Sequence, residues 1–258
     1  MPGPVTARAE HRVTWLGHST VLLELDGARV LTDPVLRPRV AHLRRHGPAP
    51  AAVGRLDAVL ISHLHHDHLD LPSLRMLDAA TPVVVPRGSG RTFALRSLRR
   101  ELVELGEGEE ASFDGARVRA VRAVHDDRRL PLTSRTGALG FVVEGAGRRV
   151  YFAGDTEVFD GMRAIGGDGL DVALLPVWGW GTRLGPGHMD PDQAAQAAAL
   201  LRPALAIPVH WGTYLPYGAA GRHSRVLEVP GTTFAERVRV RAPGVRVVVL
   251  QPGDWLAL

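Results

Sequence analysis

Ser62-His63-Leu64-His65-His66-Asp67-His68 follows directly on the run Asp57-Ala58-Val59-Leu60-Ile61, and this junction decides how the rest of the chain is read. The run has the uninterrupted apolar character of a buried strand. His63, His65, Asp67 and His68 then place four potential metal ligands within six residues. Neutral imidazole nitrogen and anionic carboxylate oxygen are costly to crowd together unless a cation organises them. A short loop leaving a strand can aim alternate side chains at two neighbouring points, so one segment can serve two metals. The bland alternative, a His-rich polar turn with no metal, leaves the stacking of four potential ligands after a strand unexplained.

Three further sites of the same kind lie downstream. His125 follows the alternating Arg117-Val118-Arg119-Ala120-Val121-Arg122-Ala123-Val124. Asp155 closes Val150-Tyr151-Phe152-Ala153-Gly154-Asp155, and His210 closes Leu205-Ala206-Ile207-Pro208-Val209-His210. Each ends a segment that reads as a strand, and a lone His in such a place is ordinarily a satisfied rim residue. The ordered set of four resembles the metallo-β-lactamase superfamily. That resemblance implies a four-layer αββα sandwich of two mixed β-sheets with helices on the outer faces. It implies a metal-dependent hydrolase with two divalent metal ions, zinc suiting the nitrogen and oxygen ligands and manganese or iron also possible. Carried over residue by residue, His63, His65 and His125 would hold one metal. Asp67, His68 and His210 would hold the second, and Asp155 would bridge both. The expected chemistry is attack by a hydroxide bound to the binuclear centre.

Wider segments narrow the resemblance to one branch. Thr14-Trp15-Leu16-Gly17-His18-Ser19-Thr20-Val21, Leu31-Thr32-Asp33-Pro34, Gly187-His188-Met189-Asp190-Pro191 and Val209-His210-Trp211-Gly212-Thr213 look like the branch of phospholipase D enzymes that hydrolyse N-acylphosphatidylethanolamine and of ascorbate-6-phosphate lactonase. The branch implies that His188 faces the substrate, and Asp67 and His188 are the expected catalytic residues. A surface His beside a helix cap is the plain reading of the same His188. Asp33 is expected to orient a ligand His, against an ordinary turn Asp before Pro. His18 is placed near the site without a ligand role, and His66 beside it or in solvent. His42, His46 and His223 read as solvated loop histidines. Arg183 either grips an anionic group or is a surface arginine, and Trp178 and Trp180 either line a pocket entrance or pack at a rim. The reading favours a phosphodiester, with a small anionic lactone as the alternative and a non-catalytic metal-binding or regulatory module as the runner-up from another class. Against the eukaryotic phospholipase, a long N-terminal extension is missing and Asp126-Asp127 stands where an aromatic is found after the ligand His. The resemblance therefore leaves the lipid-selecting surface open.

Composition limits the partners. The 258 residues contain 45% hydrophobic and 22% charged residues, enough apolar content for a sizeable core. All 31 basic residues are Arg, and the formal net charge is only +4, so basicity argues for a solvated surface rather than for nucleic acid. No cysteine is present, which excludes disulfides and thiolate ligands. No apolar run approaches the ~20 residues of a membrane span. With Met1-Pro2-Gly3-Pro4 lacking a signal pattern, a cytoplasmic protein acting on a small-molecule or lipid-derived substrate is expected.

The rest of the chain reads as strands and helices recurring in two half-chains, about 12–110 and 111–258, within one domain spanning 1–258. Strands are expected at 13–16, 20–25, 28–32, 81–86, 116–124, 140–144, 148–153, 171–177 and 245–250, and helices at 71–79, 91–100, 158–165, 190–201 and 232–239. Residues 37–54 read as loop. Asp190-Pro191-Asp192-Gln193 is a helix start, with a capping Asp and Pro in the first turn.

Overall fold

The computed structural model describes residues 11–126, 136–181, 183–219 and 224–258. The readings made above for Met1-Pro2-Gly3-Pro4, Asp127 and His223 lie outside the described residues. In the first half, β1 (Arg12–Gly17), β2 (Thr20–Leu25) and β3 (Ala28–Thr32) form an antiparallel meander. Asp26 and Gly27 turn β2 into β3 with φ of 51° and 94°, the left-handed geometry that matches a two-residue turn to strand twist. Two short strands, β4 (Arg39–Val40) and β5 (Leu43–Arg45), occupy the stretch expected to be loop. They could not be read locally, because their third partner lies at 214–216. Parallel strands β6 (Ala58–Leu60), β7 (Val83–Pro86) and β8 (Leu102–Leu105) then extend the sheet from β3.

Helices α1 (Leu71–Arg75) and α2 (Phe93–Arg96) are shorter than their apolar periodicity predicts. For α1 the reason is chemical: the Arg100 guanidinium donates to the carbonyls of Leu74, Leu77 and Asp78, so further helical turns are not needed to satisfy them.

The second half builds its own sheet. Strands β9 (Glu110–Phe113), β10 (Ala116–Arg122), β11 (Leu139–Gly145) and β12 (Arg148–Phe152) run antiparallel. Beyond α3 (Met162–Gly166), β13 (Val172–Pro176) joins β12 in parallel; beyond α4 (Pro191–Leu201), β14 (Leu205–Val209) joins β13 in parallel. Strand β15 (Tyr214–Pro216) pairs with β5, closing the small sheet. Helix α5 (Ser224–Arg241) starts earlier than expected and passes through Pro230. Gly231 lets it lie against Trp211, whose ring would be 2.3 Å from any Cβ there. The chain ends with β16 (Arg246–Val247) on the second sheet and β17 (Trp255–Ala257) returning to β1 of the first, where a single strand over 245–250 was expected.

The apolar faces of the two sheets meet. Trp15, Leu23 and Val30 from one pack in a common cluster with Val118, Phe141, Val143 and Phe152 from the other. Burying each such side chain contributes about 1.5–3 kcal/mol. Leu74 and Leu95 cover the outer face of the first sheet, against Val59, Val83 and Val85. Ala194, Ala197, Ala198 and Leu201 of α4 and Phe234 and Val238 of α5 belong to the large cluster on the side of the second. The result is an αββα sandwich. Among the described residues no helix is long and apolar enough to cross a membrane.

Candidate metal centre

Strand ends deliver the candidate ligands. His63 follows β6 of the first sheet, whereas Asp155 and His210 follow β12 and β14 of the second, and His125 follows β10. The seven residues therefore converge where the ends of both sheets meet, along one edge of the sandwich. Strand ends suit this task because the hydrogen-bonded ladder holds the backbone while the last residues are free to point outwards.

Asp33 sets the geometry of the motif loop from beneath. Its backbone N–H donates to the Leu60 carbonyl of β6 (2.8 Å). Its carboxylate accepts from the Ser62 N–H (2.7 Å) and hydroxyl (2.6 Å), and from His68 Nδ1 (2.7 Å). The carboxylate is fully buried, and Asp33 itself has φ 32°, a left-handed conformation that closes the turn after β3. One carboxylate thus ties the first and last residues of the loop, and it leaves His68 Nε2 as the atom facing the site.

His63 Nε2 and His125 Nε2 approach His65 Nδ1 to 2.9 and 3.1 Å. On the other side, His68 Nε2 and His210 Nε2 are 3.2 Å apart, with Asp67 Oδ2 3.8 Å from each. Asp155 lies between, its Oδ2 3.1 Å from His68 Nε2 and 3.9 Å from His63 Nε2. Gly154, at φ 61°, lets this carboxylate enter; a Cβ there would stand 2.6 Å from the Ser62 Cβ.

These atoms suit a cation. His68 Nδ1 donates to Asp33 and His210 Nδ1 donates to the Trp178 carbonyl (2.8 Å), so in neutral rings both Nε2 atoms carry lone pairs that face each other. His125 Nδ1 is likewise spent on the Gly187 carbonyl (2.8 Å). Asp155 Oδ1 is buried with no hydrogen-bond partner among the described residues, His210 Nε2 standing 3.3 Å away. A buried carboxylate oxygen and facing lone pairs are expensive unless positive charge lies among them. Protons supply part of it here. Burial works against a charged His68, but Asp155, Asp33 and Asp67 outweigh it and hold the imidazole well above its usual range. Burial also opposes ionisation of Asp155, yet His210, His68 and His188 hold it well below the ordinary carboxylate value. Burial pushes His63 well down, and His125 down to about 4, leaving both neutral as ligands must be. The candidate ligand atoms form overlapping groups within 4.8 Å: His63 with His65 and His125, His63 with His68 and Asp155, and Asp67 with His68, His210 and His18.

His18 thus lies closer to the cluster than its neighbourhood in the sequence suggests. Burial and His210 push it down to about 3, so the neutral ring donates its Nε2–H to Asp67 Oδ2 (3.0 Å). His188 Nε2 stands 3.3 Å from Asp155 Oδ2. The helix start beside it is not open to an anion: the Asp190 carboxylate already accepts from the Asp192 and Gln193 amides in a complete capping box.

Two cavities flank the cluster. One of about 520 Å³ is lined by His65, His125, Asp126, Glu157, Gly187 and His188, and one of about 290 Å³ by Ala41, His42, Leu43, Asp67, Trp180 and His188. His65 and His188 face both. Arg183 is exposed and lines neither. His66 is exposed, and His46 lies in the small sheet's loop with its N–H on the Thr213 carbonyl. His42, read as solvated, instead forms a cavity wall edge-on to Trp180, with ring centroids 4.7 Å apart. Sequence reasoning also missed Ser62 and Glu157. Glu157 accepts from the Gly187 N–H (2.7 Å) and so fixes the carbonyl that orients His125. Nothing in a local pattern marks either residue.

The fold and the cluster together define a strand-end group of His and Asp able to hold metal between two sheets, and comparison with known proteins gives the family. The sequence profile of the beta-lactamase superfamily domain matches residues 28–211. A UPF0173 metal-dependent hydrolase of Thermus thermophilus is 34% identical over 250 residues, covering 95% of this chain and 98% of that protein. An uncharacterized protein of Mycobacterium tuberculosis is 36% identical over 218 residues, covering 78% of this chain but only 59% of its own length. The structure of a metallo hydrolase from the archaeon Ignicoccus hospitalis superposes with a TM-score of 0.72 at 24% identity, covering 96% of this chain and 98% of that one, and shows a shared fold. The chain belongs to the metallo-β-lactamase superfamily.

Proposed function

We propose that the chain is a metal-dependent hydrolase holding two divalent cations, and that it cleaves a compact phosphodiester. The observation that carries the metal reading is the pair of Nε2 atoms of His68 and His210, 3.2 Å apart with both Nδ1 atoms committed as donors. His63, His65 and His125 would hold one cation, Asp67, His68 and His210 the other, with Asp155 shared. The all-nitrogen-and-oxygen set suits zinc, and also manganese or iron. Bound there, the cations would supply Lewis acidity, making water reactive near neutral pH and offsetting charge that develops on the substrate.

The chain's own groups do the rest. Burial disfavours a charged His188, but the hydrogen bond and charge of Asp155 outweigh it and hold the ring at about 9. It lines both cavities, and its Nε2 can meet an anionic substrate oxygen or deliver a proton to a leaving group. Burial opposes ionisation of Asp67, but His68, His18 and His210 keep it ionised, so its carboxylate can orient the attacking water. The cavities admit a small molecule or one end of a lipid-derived one.

A specific observation favours a second reading, a small lactone. Among the described residues no arginine lines either cavity, Arg183 included, and a lactone, unlike a phosphate, needs no paired donors to clamp it. The test is turnover of bis-p-nitrophenyl phosphate and of a simple lactone by metal-loaded wild type, chelated wild type, Asp67→Ala and His188→Ala. Chelator-sensitive phosphodiester cleavage lost in both variants supports the first reading. Much faster lactone cleavage selects the second. Silence on both substrates in fully loaded protein would replace the hydrolase with a metal-binding module.

A further inference from the structure

Trp180 sits in a glycine-flanked turn after β13, yet its indole N–H donates to Asp67 Oδ2 at 3.0 Å. The same oxygen accepts from His18 Nε2, also at 3.0 Å. Both donors are neutral, and an indole N–H has no lone pair, so Trp180 cannot compete for a cation as another histidine would. The ring is braced on its far side: it stands edge-on to His42 and packs against the cluster of Val35, Val40, Leu43 and Tyr214. Two residues earlier, the Trp178 carbonyl accepts from His210 Nδ1, while the Trp178 indole donates to the Gly181 carbonyl at 2.9 Å. One short turn therefore grips two residues on the same side of the cluster, Asp67 through a side chain and His210 through a carbonyl.

We propose that Trp180 is a positioning residue, its indole N–H orienting the Asp67 carboxylate for the cation on the His68 and His210 side and so coupling the order of the 178–181 turn to occupancy of that side. The inference rests on the reading that Asp67 holds a cation. The hydrogen bonds this turn makes to the cluster go to Asp67 and His210, both on this side, so the coupling is expected at one cation of the two.

The experiment measures zinc bound by wild type, Trp180→Phe, Trp180→Ala and Asp67→Ala after equilibration against graded chelator. Trp180→Phe keeps a ring in the brace and removes only the donor. It should weaken one of the two zinc ions by about 10–100-fold, the scale for partners that orient ligands, and leave the other unchanged. If Trp180→Phe binds as wild type while Trp180→Ala is impaired, the ring matters only as packing and the proposal is overturned. If Asp67→Ala itself retains both ions at wild-type affinity, the ligand reading fails instead, which separates the two failures. A second measurement needs no variant: hydrogen exchange of the backbone amides across the turn. Faster exchange on zinc removal supports the coupling, and exchange unchanged between zinc-loaded and chelated wild type overturns it.

Discussion

The segments 62–68 and 178–188 bring side chains to the same cluster but are held there by different means. The first leaves a buried central strand, and Asp33 ties both its ends through Ser62 and His68. Ser62, His63 and His68 are fully buried. The second is rich in glycine and largely exposed or half-buried. Its anchors are the site residues themselves: Trp178 on His210, Trp180 on Asp67, Gly187 on His125 and His188 on Asp155. The first segment is therefore positioned by the fold and the second by the site, so loss of the centre should loosen the second and spare the first. Backbone held by a sheet resists local opening, whereas a loop held by a few side-chain contacts opens at low cost.

The largest effect should come from cutting the anchor of the first segment. Asp33→Ala strands the buried Ser62 amide and His68 Nδ1, each at about 1–3 kcal/mol, so about 3 kcal/mol of stability should be lost. Urea unfolding checks this, read as a lower midpoint with an unchanged slope. A loss within 1 kcal/mol would mean that β6 alone positions the loop.

Metal removal comes next. A cation present at about 100 times its dissociation constant adds about 2.7 kcal/mol to the folded state. For a domain of this size, chelation should then lower the melting temperature by about 5–10 °C, reversibly. Proteolysis should start in 178–188 and not in 62–68; early cleavage within the motif loop would break the contrast.

His188→Ala is expected to be local. Turnover should fall about 100-fold, in the range of a lost acid–base group, with metal content and melting temperature kept. A parallel loss of bound metal would make His188 a ligand rather than a substrate-facing group. The smallest effect belongs to Arg183→Ala, which should change turnover less than about twofold because the side chain is exposed and outside both cavities. A tenfold loss would restore Arg183 as an anion clamp.

The two segments also differ in how far they could be read. His63, His65, Asp67 and His68 were legible as members of the cluster because ligand chemistry and strand delivery share one stretch of twelve residues, 57–68. His125, Asp155 and His210 were legible once strand ends were recognised as delivery points. The roles of Trp180, His42, Ser62 and Glu157 were not, because each depends on a partner far along the chain: Trp180 and Asp67 are 113 residues apart. The same holds for the small sheet, where β5 pairs with residues at 214–216.

By itself, then, the sequence determined the alternating and apolar runs that make two sheets, the capped start of α4, and the donor types of a metal centre. These are local properties, set by side-chain period, capping chemistry and ligand hardness. Tertiary structure alone decided that Asp33 would orient His68, that Trp180 would reach Asp67, that Asp190 would close the helix end beside His188, and that Arg183 would lie outside the cavities. Each of these depends on a distance of a few ångströms between side chains, or on which residues end up lining one space. Such distances are set by how two sheets pack, and no run of neighbouring residues records them.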